Sequence, residues 1–247
     1  MSTPDKPPVR RADASRNDTR ILAAARAIFS ELGPDAPVSV IAERAGVGMG
    51  TLYRRYPSKS HLMRELSLAD MDDTRQAAEA AVQTSDSWAG LTGFIDTCVE
   101  AGVDGSPRLT GPFTVTDEVL QASKRTREAV QRLVEYAQRD GSLRPDVNAH
   151  DLVLLLHTLR ELRAAHSNRD PALRQRFLGI LLDGLRADNR SPLPAAPATW
   201  SDVERAWHST TDNEDRAESN GHGDTRQNDL GCRVIGVVDE RVFSVDG

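Results

Sequence analysis

Cysteine, aromatic residues and long apolar runs are all scarce in this 247-residue chain. The two cysteines, Cys98 and Cys232, lie far apart, which excludes a disulfide scaffold and a cysteine-ligated zinc site and suits a reducing cytoplasm. The longest run of large aliphatic residues, Leu152 to Leu156, is far shorter than the roughly 20 residues of a membrane-spanning helix. No apolar h-region of a signal peptide occurs near the N-terminus. We therefore expect a cytoplasmic protein without a membrane segment.

Motifs of catalysis are lacking as well. The sequence contains no HExxH, GxSxG or CxxC motif and no P-loop lysine. For each histidine, a structural or surface role is expected rather than catalysis or metal binding. We therefore predict that the protein is not an enzyme, with no catalytic residues, no metal site and no cofactor.

Charge is distributed unevenly along the chain, whose formal net charge is −6. Residues 1–64 contain 11 Lys and Arg against 6 Asp and Glu, whereas acidic residues are in excess in the remainder. A basic head on an acidic body is typical of a protein that meets phosphate at one end, although chance clustering on a solvated surface is an equally good explanation on charge alone.

Helical periodicity dominates the sequence from Asp18 to residue 189. Apolar residues recur every three or four positions, and no convincing strand alternation occurs before residue 230. The predicted helices span about 18–32, 38–45, 49–56, 59–83, 87–103, 117–139, 148–165 and 171–187. We therefore predict an all-α fold.

Residues 38–56 read VSVIAERAGVGMGTLYRRY, which is a helix, a turn containing glycine and a second helix. This order is typical of a helix-turn-helix motif, here about 37–56. Ala42 and Ala45 are small enough for the helices to cross closely, Gly46 permits a positive φ, and Val47 fills the space beneath the turn. The second helix then presents its N-terminal residues to a DNA major groove.

Residues 20–64 resemble the tetracycline-repressor (TetR) family of bacterial regulators. The matching residues are Arg20-Ile-Leu-Ala-Ala-Ala, Phe29, Gly33, Ile41-Ala-Glu-Arg-Ala-Gly-Val, Gly50-Thr-Leu-Tyr-Arg-Arg-Tyr-Pro-Ser-Lys59 and Leu62. The resemblance implies a helix-turn-helix head of three helices, a helical-bundle domain that binds an effector and dimerises, and a double-stranded DNA operator as partner. It does not identify the small-molecule effector. Pro37 departs from the family, many members of which have a capping Ser or Thr there.

The resemblance also implies roles for individual residues. Tyr53 and Lys59 correspond to phosphate contacts, Thr51 to a backbone or base contact, and Tyr56 to a residue of the head's core. Tyr53 has an alternative role as a second core aromatic. The predicted DNA-binding residues are Gly48, Met49, Thr51, Tyr53, Arg54, Arg55 and Lys59.

The last two helices of the predicted body are apolar over more than one face, so each has to bury two sides. We expect one side in the core and the other in a two-fold interface of a homodimer, with a stripe of Phe177, Ile180, Leu181 and Leu185 at that interface. A buried helical hairpin within a monomer is the alternative. The candidate residues of an effector pocket are Trp88, Phe94, Cys98, Phe113, Tyr136 and His157.

Composition and resemblance together divide the chain into five segments. The predictions are a flexible basic arm (1–16), a DNA-binding head (17–64), an effector-binding and dimerisation domain (65–189), a linker with a short helix (190–207) and a disordered acidic tail (208–247). The predicted function is that of a ligand-responsive dimeric repressor on a palindromic operator. The alternatives are an activator or global DNA-binding regulator of the same fold, and a non-enzymatic protein-interaction module.

Overall fold

The computed structural model describes residues 9–101, 116–165, 171–188, 191–203 and 205. They form eight α-helices: α1 (Val9–Leu32), α2 (Val38–Ala45), α3 (Met49–Arg55), α4 (Lys59–Val82), α5 (Ser87–Ala101), α6 (Asp117–Arg139), α7 (Ala149–Ala165) and α8 (Pro171–Leu185). An isolated antiparallel bridge joins Leu143 to Arg186. The predicted all-α fold is confirmed. None of the helices in these ranges has the length and apolar character needed to cross a bilayer.

Helix α1 begins earlier than the sequence analysis expected. It starts at Val9, so residues 9–16 are helical and do not belong to a flexible arm. Neither proline nor glycine occurs between Pro8 and Gly33, and alanine and arginine, which favour helices, are frequent there. The predicted arm over 1–16 is therefore wrong for its second half, and its first eight residues lie outside the described ranges. The predicted end of the helix at Gly33 is confirmed by a φ of 78° at that residue.

The first three helices and the start of α4 enclose one hydrophobic core. Ile21, Ile28, Ile41, Leu52 and Leu62 are at most 2% exposed and contact one another through neighbouring side chains. Each comes from an apolar stripe of its own helix. The core therefore fixes the orientation of α3 relative to α1 and α4.

Helix α4 belongs to two cores. Its first two turns contribute Leu62 and Leu66 to the core of the head, whereas Ala78 and Ala81 near its other end belong to the core of the body. The body core includes further residues from α5, α6, α7 and α8. Gly90 on α5 permits the close approach to α4, because a Cβ at that position would lie 2.5 Å from the Ala81 carbonyl oxygen. Helix α4 therefore connects the head mechanically to the body.

Residues 191–203, called here the docked segment, pack against the body. Val203 is fully buried against Val153 on α7, and the indole of Trp200 contacts the same small cluster. The guanidinium of Arg127 on α6 lies 3.8 Å from the centroid of the Trp200 ring. A linker was predicted over 190–207 because of its three prolines, but the described part is held in place. The tail predicted over 208–247 lies outside the described ranges.

The docked segment is also held by hydrogen bonds to the residue before α7 and to the first turn of α7. Asn148 Nδ2 donates to the Ala198 carbonyl at 2.8 Å, and Ala198 N donates to Asp151 Oδ1 at 2.9 Å. Arg144, which is 5% exposed, donates to the carbonyl oxygens of Ser191 and Gly184. One buried guanidinium therefore joins the end of α6, the end of α8 and the start of the docked segment.

Candidate nucleic-acid interface

The turn between α2 and α3 has the geometry that the sequence predicted. Gly46 has a φ of 64°, in the left-handed region, and its N–H donates to the Glu43 carbonyl while Val47 N donates to that of Ala42. A Cβ at Gly46 would also lie 2.5 Å from Arg20 Nη2. The backbone conformation therefore favours glycine at this turn, whereas the flexible end of the Arg20 side chain can move aside. Pro37 precedes α2 without a side-chain cap.

Helix α3 is anchored on one side and free on the other. Leu52 is 1% exposed and Tyr56, directly after the helix, is 1% exposed, so both belong to the core of the head. Met49, Tyr53, Arg54 and Arg55 are exposed, and Thr51 is half-buried. Tyr53 is 44% exposed, which excludes the alternative role of a core aromatic. The expected core position of Tyr56 is confirmed.

The glycines around the start of α3 leave its first turn uncovered. A Cβ at Gly48 or Gly50 would have no neighbour within 4 Å. The backbone of this turn is therefore accessible to a large partner that approaches along the helix. Both glycines and the exposed side chains face away from the core that Leu52 and Tyr56 join.

The start of α4 lies beside this surface. Ser58 caps the helix, and its Oγ accepts a hydrogen bond from His61 N at 3.0 Å. Lys59 is half-buried, and its ammonium lies 5.9 Å from the centroid of the Phe29 ring. A positive side chain at a helix N-terminus attracts phosphate through its own charge and through the helix dipole.

The two arginines at the end of α3 differ in their surroundings. Arg54 makes no ion pair with any of the described residues, whereas Arg55 Nε donates to both carboxylate oxygens of Asp18 on α1, at 2.8 and 2.9 Å. This hydrogen bond raises the pKa of Arg55, and burial raises that of Tyr56 to about 12, with a further contribution from Asp18. The contact ties α3 to α1.

Two further ion pairs connect α1 to other helices, and the sequence analysis did not find them. Glu31 accepts two hydrogen bonds from Arg44 on α2, and Asp70 on α4 accepts from Arg26. The sequence does contain a sign of the Asp70–Arg26 pair. Asp70 follows Leu62 and Leu66 and precedes Thr74 at intervals of four residues, so all four lie on one helix face. A carboxylate within a buried stripe needs a partner.

An exposed apolar surface lies on α8. Phe177 is 58% exposed, Ile180 57% and Leu181 37%, while Leu178 on the other side is buried in the body core. Leu185, which the sequence analysis placed on the same stripe, packs against the core instead. The surface of Phe177, Ile180 and Leu181 is here called the α8 patch.

The residues predicted to line an effector pocket have different surroundings. Phe94 and Cys98 are buried in the body core, and Trp88 packs against it with the guanidinium of Arg186 over its ring. Tyr136 donates its hydroxyl hydrogen to the Thr84 carbonyl, and His157 is 7% exposed on α7. Phe113 lies outside the described ranges. The pocket stays a prediction.

Family models and known proteins match the chain over most of its described length. Residues 21–66 match the family described as bacterial regulatory proteins, tetR family, and residues 90–187 match the SbtR-like C-terminal domain of transcriptional regulators. These two ranges contain the helix-turn-helix and the greater part of the body.

Three individual proteins illustrate the similarity. The HTH-type transcriptional repressor KstR2 of Rhodococcus jostii is 28% identical over 187 residues, 68% of this chain and 90% of that protein. The HTH-type transcriptional regulator UidR of Escherichia coli is 28% identical over 55% of this chain and 74% of its own. The crystal structure of a TetR transcription regulatory protein from Mycobacterium vanbaalenii has 27% identity and a TM-score of 0.52, covering 72% of this chain and 99% of that one.

Proposed function

Because the chain belongs to the TetR family of transcriptional regulators, we propose that it is a ligand-responsive homodimeric repressor that binds a palindromic operator through α3. The protein is a DNA-binding transcriptional regulator. The observation that carries the proposal is the exposed face of α3, where Tyr53, Arg54 and Arg55 lie next to Lys59 at the start of α4. Two such faces, one from each subunit, enter successive major grooves about one helical turn apart.

The α8 patch supports the homodimer. Three large apolar side chains on neighbouring turns of one helix are costly to leave in water, and a second copy offers a self-complementary surface. Two helices from each subunit then form the two-fold interface.

The response to an effector follows from the position of α4 in two cores. A ligand bound in the body favours one arrangement of α5 to α8, and α4 passes the change to the head. The two heads of the dimer then lose the separation that the two half-sites of the operator require. The effector itself is a small molecule of unassigned class, the protein performs no chemistry on it, and the cytoplasm is the expected compartment.

Selection of genomic DNA fragments on the full chain tests the proposal. A palindrome whose half-sites are separated by about one helical turn is expected, with light scattering showing a dimer. Arg54→Ala should weaken operator binding, whereas Arg139→Ala, at an exposed position on α6, serves as the matched control. Deletion of the gene should raise transcription from the selected promoter. A fall in transcription would identify an activator. Unchanged operator binding by Arg54→Ala would place the interface elsewhere.

A further inference from the structure

Arg55 is held from two sides but keeps part of its guanidinium free. Its Nε donates to both oxygens of Asp18, and its Cζ lies 5.4 Å from the centroid of the Tyr56 ring. Neither Nη atom donates a hydrogen bond to any described residue. The side chain is still 52% exposed and that of Asp18 is 26% exposed. The outer edge of the guanidinium is therefore available, in a fixed orientation.

The neighbouring Arg54 offers a direct contrast. It is exposed and makes no ion pair with the described residues, so its flexible side chain is able to follow any phosphate within reach. Arg55 is restricted to phosphates that meet its Nη edge, and its charge is compensated by a carboxylate. Sequence-independent affinity for DNA depends on uncompensated cations, because each one releases counterions from the backbone.

We propose that Asp18 is a specificity-determining positioning residue, which anchors Arg55 through Nε so that only DNA with a phosphate at the Nη edge gains this contact. The inference rests on the proposed interface around α3. On other DNA, the carboxylate cancels the charge of Arg55. Asp18 thus lowers non-specific affinity more than operator affinity.

A structural role alone does not account for this arrangement. Ion pairs between partly exposed side chains contribute little to stability, and Leu52 and Tyr56 already anchor α3 in the core. Asp18 also forms a side-chain hydrogen bond with Tyr56, and an asparagine keeps an acceptor oxygen at that place. The variant Asp18→Asn is therefore expected to fold with an almost unchanged melting temperature. The proposal is therefore tested by the DNA affinity of this variant.

The experiment measures the affinity of full-length Asp18→Asn for the operator and for an unrelated duplex over a range of salt concentrations. We expect non-specific affinity to rise on the order of fivefold at 0.1 M salt, and log K against log salt to steepen by about 0.9 for that duplex. Operator affinity should change by less than about twofold. The ratio of operator to non-specific affinity then falls. A ratio equal to that of the wild type would overturn the proposal.

Glu31→Gln is the matched control, because it breaks the other pair between a carboxylate of α1 and an arginine of the helix-turn-helix. Glu31 lies about 20 Å from Asp18 along the helix axis, beyond the range of about 8 Å over which charges interact in physiological salt. Its effect on the ratio should be much smaller. An equal effect would show that any freed arginine raises non-specific binding, and the special role of Asp18 would be refuted.

A second variant separates action through Arg55 from a general charge effect. In an Arg55→Gln background, Asp18→Asn should no longer change the salt dependence, because no tethered cation remains to be freed. A full effect in that background would overturn the proposal. Tyr53→Phe and Arg54→Ala report independently on the interface itself, since normal DNA binding by both would refute the role of α3 rather than that of Asp18.

Discussion

Arg26 of the head and Asp70 of α4 form an ion pair at the junction of the two cores. Arg26 Nε donates to Asp70 Oδ1 at 2.7 Å, and Asp70 is 2% exposed. The next residue on α4, Met71, accepts a hydrogen bond from Thr126 Oγ1 of α6 at 2.9 Å. The head and the body therefore hold α4 at adjacent residues, so a shift of α6 acts on the turn to which the head is tied.

Asp70→Asn should destabilise the protein by about 1–3 kcal/mol, because the mostly buried Arg26 loses its main partner and, among the described residues, keeps the carboxylate of Asp73 alone. Urea denaturation measures the loss. Asp72→Asn is the control, since Asp72 is exposed and pairs with Arg75 on the surface. Similar losses in both variants would mean that the Arg26–Asp70 pair contributes no more to the free energy of unfolding than a surface pair.

Tyr53→Phe should weaken binding to all DNA sequences by about 1 kcal/mol, because one hydrogen bond from the hydroxyl to a phosphate is lost. The melting temperature should stay almost constant, since the ring is 44% exposed and the hydroxyl supports no core contact. Fluorescence anisotropy with labelled duplexes measures the affinity. A large drop in melting temperature with normal affinity would contradict the proposed role.

Ile180→Glu should convert the dimer to a folded monomer. The residue is 57% exposed in the subunit, so the charge is tolerated there, but at a two-fold interface it would be buried against apolar side chains of the second copy. Light scattering and binding to full and half operators measure the outcome, with an expected loss of about 10²–10⁴ in avidity. Leu120→Glu on α6, where the residue is 46% exposed, is the control. A dimeric Ile180→Glu variant would place the interface on other helices.

Truncation of the chain should be tolerated after residue 207 but not after residue 188. The shorter variant lacks the docked segment, which exposes Val153 and removes one of the acceptors of Arg144, at a cost of about 3 kcal/mol. The longer one loses only the acidic stretch 208–247, which its composition predicts to be dispensable. Calorimetry on both variants measures the difference. Equal melting temperatures would mean that the docked segment contributes nothing.

The stability of the docked segment should decrease as pH falls below about 6.5. Burial, followed by the charge of Arg127, lowers the pKa of His150, whose ring lies 6.2 Å from that of Trp200. The folded protein therefore favours the neutral imidazole, and its stabilising effect is complete above the unfolded pKa and lost as His150 becomes protonated. The melting temperatures of the wild type and of His150→Gln, compared over this pH range, isolate the effect. Parallel curves would exclude it.

Local pattern predicted most of the helices, and three-dimensional neighbours decided the rest. The C-terminal end of α2 and the start of α4 follow from Gly46 and Ser58, residues whose preference for turns and caps acts within a few positions. The docked segment was predicted to be a linker with a short helix because prolines mark linkers, whereas in the structure Trp200 and Val203 pack against α7. The sequence pattern does not show which surface of α7 receives these two side chains.

The resemblance predicted which helix forms the candidate interface. It did not predict which of the charged residues on that helix are held in ion pairs. Arg54 and Arg55 are identical in sequence terms and adjacent, and only the position of α1 shows that one of them is tethered by Asp18. Pairings of this kind join residues 37 or 44 positions apart, so no short-range pattern contains them.

The ion pairs of α1 determine where a chimeric regulator can be joined. A head transplanted with a boundary at residue 64 would leave Arg26 facing foreign residues in place of Asp70 and Asp73, and would cut α4 before Leu66 has entered the core. If the two parental sequences are joined after Asp73, Arg26 keeps both of its native partners, Asp70 and Asp73. A hybrid sensor built from this protein should therefore carry the first half of α4 with its DNA-reading part, and take its new sensing part only from there onward.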